Sequence, residues 1–369
     1  MATFTQWEFL RHTKINVIVQ TLASRLEMAQ PLIFLNRTAV VNAEDDEIIG
    51  KYRGRIFAAD LIALDAEAVT YDAGQLETYT QAIPKIKIGF RIGEKMLKRF
   101  MDLRMSVGDA VQGQNSFITN WENQKAMELV MGIRKRVDAM ICAMHLDSFV
   151  YDRLGFKLTT GWGTPADLKV TTSTPWSNTA ATPIADIQAL TMQIAPDTYG
   201  ESYNRITMST AQFRNIVATD EFQTRAKMFF QFNFAAGALG TGDLGQMRTI
   251  FEAVSGVQLE LSDTVYWVQN EDGSQTSTRV LPETKVILSN IADDNDPTVM
   301  DFANGVVIES YAAQFAADVF GIGGGEQVGP IAYYVPSRDL NPPSVECWAV
   351  ARGFPRKHRE TATAVLTVG

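Results

Sequence analysis

Residues Thr119 to Leu154, TNWENQKAMELVMGIRKRVDAMICAMHLDSFVYDRL, decide how this chain is to be read. Thr119-Asn120-Trp121-Glu122 has the spacing of a capping box, in which a Thr hydroxyl and a Glu carboxylate satisfy free N–H groups of a first helical turn. Behind it Ala126, Leu129, Val130, Ile133, Val137, Met140, Ile141 and Met144 recur every three or four residues, while Glu128, Lys135 and Asp138 fall elsewhere on the wheel. The pattern predicts one helix over 119–154, closed by Gly155 and reaching roughly 50 Å at ~1.5 Å per residue. A rod several times longer than an average helix suits a spine across a flat molecule.

Upstream, Pro84-Lys85-Ile86-Lys87-Ile88-Gly89-Phe90-Arg91-Ile92 alternates apolar and basic or small residues with period two, the signature of a half-buried strand. Earlier still, Lys51, Arg53 and Arg55 alternate with Tyr52, Gly54 and Ile56, and Tyr71-Asp72-Ala73-Gly74 is a turn candidate. Two strand regions around a polar middle predict a long hairpin, which would need another surface to lie on because isolated hairpins are marginal in water. The acidic run Glu44-Asp45-Asp46-Glu47 reads as a solvated loop and a boundary. Residues before it read as an arm with some helix, Lys14 to Met28 being weakly amphipathic. Glu94 to Arg104 carries helical signals, broken by Gly108 and Gly113.

Downstream of Gly155, the stretch to Pro183 is rich in Thr, Ser, Gly and Pro and reads as a polar hairpin or linker anchored by Trp162 and Trp176. Helix and strand then alternate. Helices are expected at 185–195, from Ala211, and at 244–254; strands at 203–209, 257–261, 264–269 and 284–288. Asn270-Glu271-Asp272-Gly273 is a hairpin turn, and Gly321 to Gly325 is a flexible loop. Two strands, 345–351 and 363–368, close the chain around Gly353 and Pro355.

Composition narrows the functions. At 369 residues with 46% hydrophobic content the chain has material for two cores. No apolar run approaches the ~18 residues that span a bilayer, so no membrane is expected, and Trp7 and Glu8 do not suit a signal peptide. Cys142 and Cys347 offer neither a disulfide ladder nor metal-ligand spacing. A net charge of −9 argues against sequence-reading nucleic-acid binding, which depends on phosphate neutralisation.

Catalytic groups are scarce. His12, His145 and His358 are scattered, and His145 reads as a core-edge or surface residue of the long helix. Gly240-Thr241-Gly242-Asp243-Leu244-Gly245 fits GxGxxG, but it lies outside any run of βαβ units and Glu260 comes early for a ribose-binding acid, so a glycine loop is expected. Asp293-Asp294-Asn295-Asp296 lacks the spaced ligands of a calcium loop and reads as a capping loop before Pro297. The expectation is no enzyme, with no cofactor, metal or catalytic residue.

The order of parts resembles the Hong Kong 97-type capsid fold, an α+β fold, and more closely the E family of phage major head proteins. The resemblance is carried by Pro84 to Ile92, by Ile206 to Lys227 (ITMSTAQFRNIVATDEFQTRAK), by Val265 to Leu288 with its polar turn and Lys285-Val286-Ile287-Leu288, and by Cys347 to Val368 with Gly353-Phe354-Pro355. It covers roughly residues 48 to 369. It implies an N-terminal arm (1–47), an extended hairpin or E-loop (48–88), a peripheral domain (89–185 and 341–369) with its spine helix, and an axial domain (186–340). It implies a major capsid protein that self-assembles, through hexamers and pentamers, into the icosahedral shell of a tailed double-stranded DNA bacteriophage. Portal, scaffold and decoration proteins would be partners, with assembly in the host cytoplasm. Lys51, Arg53 and Arg55 are the candidate inter-subunit contacts, expected to meet acidic surface of a neighbour. An encapsulin-like compartment and a soluble nucleotide-dependent enzyme are the alternative readings.

Overall fold

The computed structural model describes residues 32–42, 48–53, 75–80, 83–93, 95–96, 98–99, 112–153, 156–229, 244–269, 272, 274–308, 326–328, 331–337 and 344–369. The expected arm helix at 14–28, the acidic run at 44–47, most of 94–104 and the Gly321–Gly325 loop lie outside them.

The spine helix is present but shifted. It runs Gln112–His145, so Thr119 to Glu122 sit inside it and mark no start. It also ends ten residues before Gly155. Asp147 takes a left-handed φ of 56°, and the amides of Asp147 and Ser148 donate back to the carbonyls of Met144 and Ala143 at 3.1 Å each. This is a Schellman-type stop with Asp where Gly is usual. The Phe-Val-Tyr run beyond it has β propensity and forms Phe149–Arg153, paired antiparallel with Phe156–Thr160.

Two five-stranded sheets organise the rest. In the first, the 14-residue strand Ser344–Lys357 is the axis: Ile331–Ser337 and Lys85–Ile92 flank its first half, Met300–Asn304 pairs with its second, and Ala39–Asn42 lies parallel to Met300–Asn304. Lys85–Ile92 is thus a strand as expected, but its partner is the C-terminal strand and not the other arm of the hairpin. Gly353 and Pro355, expected to interrupt the last strands, are carried within this one. Glycine is needed at 353 because a Cβ there would overlap the Phe302 ring. The spine helix crosses this sheet, and Ile133, Val137, Met140, Ile141 and Met144 form one core with Ile92, Phe302, Ala349, Ala351 and Phe354.

The second sheet runs Lys169–Thr171, Thr363–Thr367, Lys285–Ser289, Arg205–Met208, Gln258–Leu261. It is mixed, with parallel pairings at Lys169–Thr171/Thr363–Thr367 and at Arg205–Met208/Gln258–Leu261. Helices Thr210–Ala218, Asp220–Phe229 and Leu244–Ser255, and the segment Pro183–Tyr199 with a π-helical middle, accompany it. Ser209 caps the first of these by accepting the Gln212 amide at 3.2 Å. Their apolar faces make a second core with Leu168, Trp176, Ile206, Phe213, Phe251, Val286, Leu288 and Leu366.

The stretch 156–183 is no linker: it contributes the strand Phe156–Thr160, the edge strand Lys169–Thr171, and a fully buried tryptophan to each core. Trp162 stacks on Phe354 at 5.8 Å between ring centroids and donates its indole N–H to the Pro355 carbonyl at 3.1 Å. Trp176 donates to Asp186 at 3.0 Å. Both act as anchors, as their setting among polar residues suggested.

Asp293 and its neighbours pair with cations. Asp294 holds Arg205, Asp293 holds Arg359, and Asp296 accepts the Thr298 amide at 2.8 Å, turning the chain into the strand Met300–Asn304 and not into a helix.

Candidate inter-subunit surface

The hairpin that carries the candidate contacts is built from Ile48–Arg53 and Gln75–Thr80, antiparallel, as a two-stranded sheet of its own. Its first strand is the predicted one, but its return strand is Gln75–Thr80, ahead of Pro84. The register places Lys51 opposite Glu77 and Arg53 opposite Gln75. Position 51 thus stands opposite an acidic residue in the register. Position 53 has none opposite it. Arg55 lies outside the described residues.

Other exposed apolar groups escaped the sequence reading. Trp267 is 69% exposed and Val150 66%, on two hairpins that flank the spine helix. The Arg136 guanidinium lies 5.6 Å from the Tyr151 ring and 5.0 Å from the Tyr266 ring, and Lys135 donates to the Val265 carbonyl at 3.3 Å. Strand alternation explains the pattern: where Tyr266 turns inward against the first core, Trp267 must face out. Met228 and Met192 are further exposed apolar residues, on the second body. A Tyr-Trp dipeptide ahead of a polar Asn-Glu-Asp-Gly turn was the available signal for the first of these.

Among the described residues, several of the groups singled out in the sequence are paired or enclosed. The Glu260 carboxylate takes the Arg37 guanidinium at 2.7 Å, and Gly240 to Asp243 lie outside the described residues. His358 is placed 3.4 Å from Asp301, and His12 lies outside the described residues. His145, expected at the edge of the core, is fully inside it at 1% exposure, where burial pushes its pKa well below the usual imidazole value. Cys142 is buried and its thiol is pushed well up, chiefly by burial. Among the described residues no group of His, Cys, Asp or Glu could hold a metal ion, and no helix is long and apolar enough to cross a membrane.

Asp138 belongs to this same enclosed stripe. Burial raises its carboxyl to about 6, against the amides of Leu35 and Phe34 that favour the charged form. A carboxyl raised on folding binds its proton more tightly in the native state, so stability falls as pH rises through about 4 to 6, by roughly 3 kcal/mol at ~1.4 kcal/mol per unit. Asp138→Asn removes this slope. An amide donor in place of the unpartnered Oδ2 costs about 1 kcal/mol, so urea unfolding at pH 7.5 should show a net gain of about 1–2 kcal/mol, with no gain at pH 4.5.

The sequence comparison decides what this architecture is. A family profile described as Phage major capsid protein E matches residues 49–315, well over half of the chain. The chain belongs to that family. No curated protein matches it in sequence. Among solved structures it is similar to a putative capsid protein of a prophage of E. coli CFT073, at 13% identity over 80% of each chain with a TM-score of 0.50. It is also similar to the mature capsid protein of bacteriophage PhiM1, at 8% identity over 91% of this chain and 86% of that one with a TM-score of 0.47. A third is the satellite phage P4 procapsid, at 13% identity over 95% and 90% with a TM-score of 0.46. The fold is of the Hong Kong 97 capsid type, and the chain is a structural component of a phage shell, built by self-assembly.

Proposed function

We propose that this chain forms the icosahedral shell of a tailed phage by hexamer and pentamer assembly, in the host cytoplasm, around double-stranded DNA that it does not read by sequence. Portal, scaffold and decoration proteins would complete the particle. The match of the family profile over 49–315 carries the reading. The hairpin supports it physically. A two-stranded ribbon by itself is marginal in water, and an adjacent subunit would give it a surface to pack on.

Within the subunit, residues 89–185 and 341–369, with the spine helix, are assigned as the peripheral domain and residues 186–340 as the axial domain. Residues 48–88 are assigned as the extended loop. Lys51, Arg53 and Arg55 meet acidic surface of an adjacent subunit.

The test is expression of the chain alone and with its genomic neighbours, followed by negative-stain electron microscopy and sedimentation. Closed shells, or hexamer and pentamer rings, are the expected products. A monodisperse monomer under both conditions would sink the reading, and shells filled with a co-purified protein and no DNA would replace it with a cargo compartment. Reversing charge at all three hairpin cations should cut shell yield at least tenfold without lowering the melting temperature of the subunit. Unchanged yield would remove these residues from the interface.

A further inference from the structure

Residues 32–42 touch the spine helix, the first sheet and the second sheet. The helix Ile33–Asn36 lies on the spine, with Phe34 fully buried, its ring centroid 5.6 Å from that of His145, and the Leu35 amide donating to Asp138 Oδ1 at 2.9 Å. Ala39–Asn42 forms the edge of the first sheet beside Met300–Asn304. Between them Arg37, only 7% exposed, crosses to the second sheet, where its Nη1 donates to Glu260 Oε2 at 2.7 Å and to Thr207 Oγ1 at 3.1 Å. The Asn295 amide donates to the Arg37 carbonyl at 3.2 Å. One side chain therefore ties the spine-helix body to the opposite sheet.

What the segment covers is unlike an ordinary core. Asp138, Cys142 and His145 recur at i, i+4 and i+7, so they share the helix face on which the segment sits. Asp138 Oδ2 and both ring nitrogens of His145 are buried with no hydrogen-bond partner among the described residues. Each buried polar group left unmatched carries a desolvation penalty that water would relieve. Lifting the segment thus loses the burial of Phe34 and Leu32 and the Arg37–Glu260 pair, but it hydrates the stripe. Opening here is easier than opening an apolar seam of the same size, as expected of a low-stability unit.

We propose that residues 32–42 are a releasable clasp, locked by Arg37 on Glu260, which fixes the second sheet against the spine helix when closed and uncovers Cys142 when open. The clasp rests on contacts within one subunit and is independent of the shell reading. Released, the two bodies remain joined by Lys357 to Thr363, where the Lys357 ammonium bridges Thr164 and Thr363 at 2.7 Å each.

Cys142 supplies the readout. In full-length Cys347→Ser protein it is the single thiol, and maleimide labelling under native conditions is compared with the rate of global unfolding followed by tryptophan fluorescence. Labelling is expected to run faster than global unfolding. Glu260→Gln, which keeps the shape and removes the charge, should raise the labelling rate at least tenfold. Arg37→Ala should raise it as much, and the double variant no further, because both changes open one lock. Labelling that equals global unfolding in every form overturns the proposal, as does a rate unchanged by Glu260→Gln, whether or not Arg37→Ala folds.

Discussion

Asp301→Ala should lower the unfolding free energy by about 3–5 kcal/mol, one of the two largest single-residue effects expected in this chain. Asp301 is 2% exposed and accepts Arg356 in a two-point fork, Nε to Oδ1 at 2.7 Å and Nη2 to Oδ2 at 2.6 Å. His358 approaches the same carboxylate at 3.4 Å. The pair joins two adjacent strands of the first sheet, Asp301 standing directly opposite Arg356 in the register. Removing the carboxylate strands a guanidinium that is itself only 7% exposed, and most of the cost is that uncompensated charge and not the worth of the pair. Replacing both partners, as in Asp301→Leu with Arg356→Met, should therefore recover more than half of the loss.

A pH titration separates this from a packing defect. Burial alone would raise the Asp301 carboxyl, but hydrogen bonds from His358 and Arg356 hold it below the usual carboxylate value. A carboxyl depressed on folding contributes stability above its unfolded pKa of roughly 4 and loses it as pH falls through the native value. Wild-type urea midpoints should carry that acid loss and Asp301→Ala midpoints should lack it. Parallel acid limbs in the two proteins would show that the carboxylate is not the source. Asp138 acts in the opposite direction, gaining stability as pH falls, so the two carboxylates are distinguishable in one series of titrations.

What could be read from the residues was what local periodicity encodes. Ile86, Ile88, Phe90 and Ile92 announced a strand at Lys85–Ile92, and Ile133 to Met144 announced the spine. What local periodicity does not encode is partner choice. Lys85–Ile92 pairs with Ser344–Lys357, and Lys169–Thr171 with Thr363–Thr367, across separations of about two hundred residues or more. No alternation of side chains names a partner that far away, so 156–183 looked like a connector when it is sheet edge and core. The end of the spine was missed because Phe149, Val150 and Tyr151 extend an apolar run that helix and strand share, and because the stop is an Asp in a left-handed turn where a Gly would have signalled it. Gly353 and Pro355 misled in the reverse sense: both are breakers in isolation, yet the strand carries them because Phe302 occupies the space over Gly353. For the candidate surface, charge alternation picked out Lys51 and Arg53. Their different register partners could not be read from that alternation: the pairing sets Glu77 against one and Gln75 against the other.

Trp162→Ala should cost a further about 3–5 kcal/mol, the range for removing a fully buried large aromatic. Trp162 is 0% exposed, lies nearly parallel to Phe354 at an interplanar angle of 19°, and belongs to the core that the spine helix shares with the first sheet. Phe354 is contacted in turn by Phe149 at 6.3 Å, edge on, so the truncation opens space at the point where the hairpin following the spine meets the long C-terminal strand. It also leaves the Pro355 carbonyl without its indole donor. Trp162→Phe keeps most of the ring and loses the hydrogen bond, and should cost about 1–2 kcal/mol; the remainder measures the cavity. Because Trp162 and Asp301 pack against adjacent residues of the same strand, Pro355 and Arg356, the double variant Trp162→Ala with Asp301→Ala should be less destabilised than the sum of the two. Additive losses in urea unfolding would show instead that the strand Ser344–Lys357 does not transmit the first defect to the second.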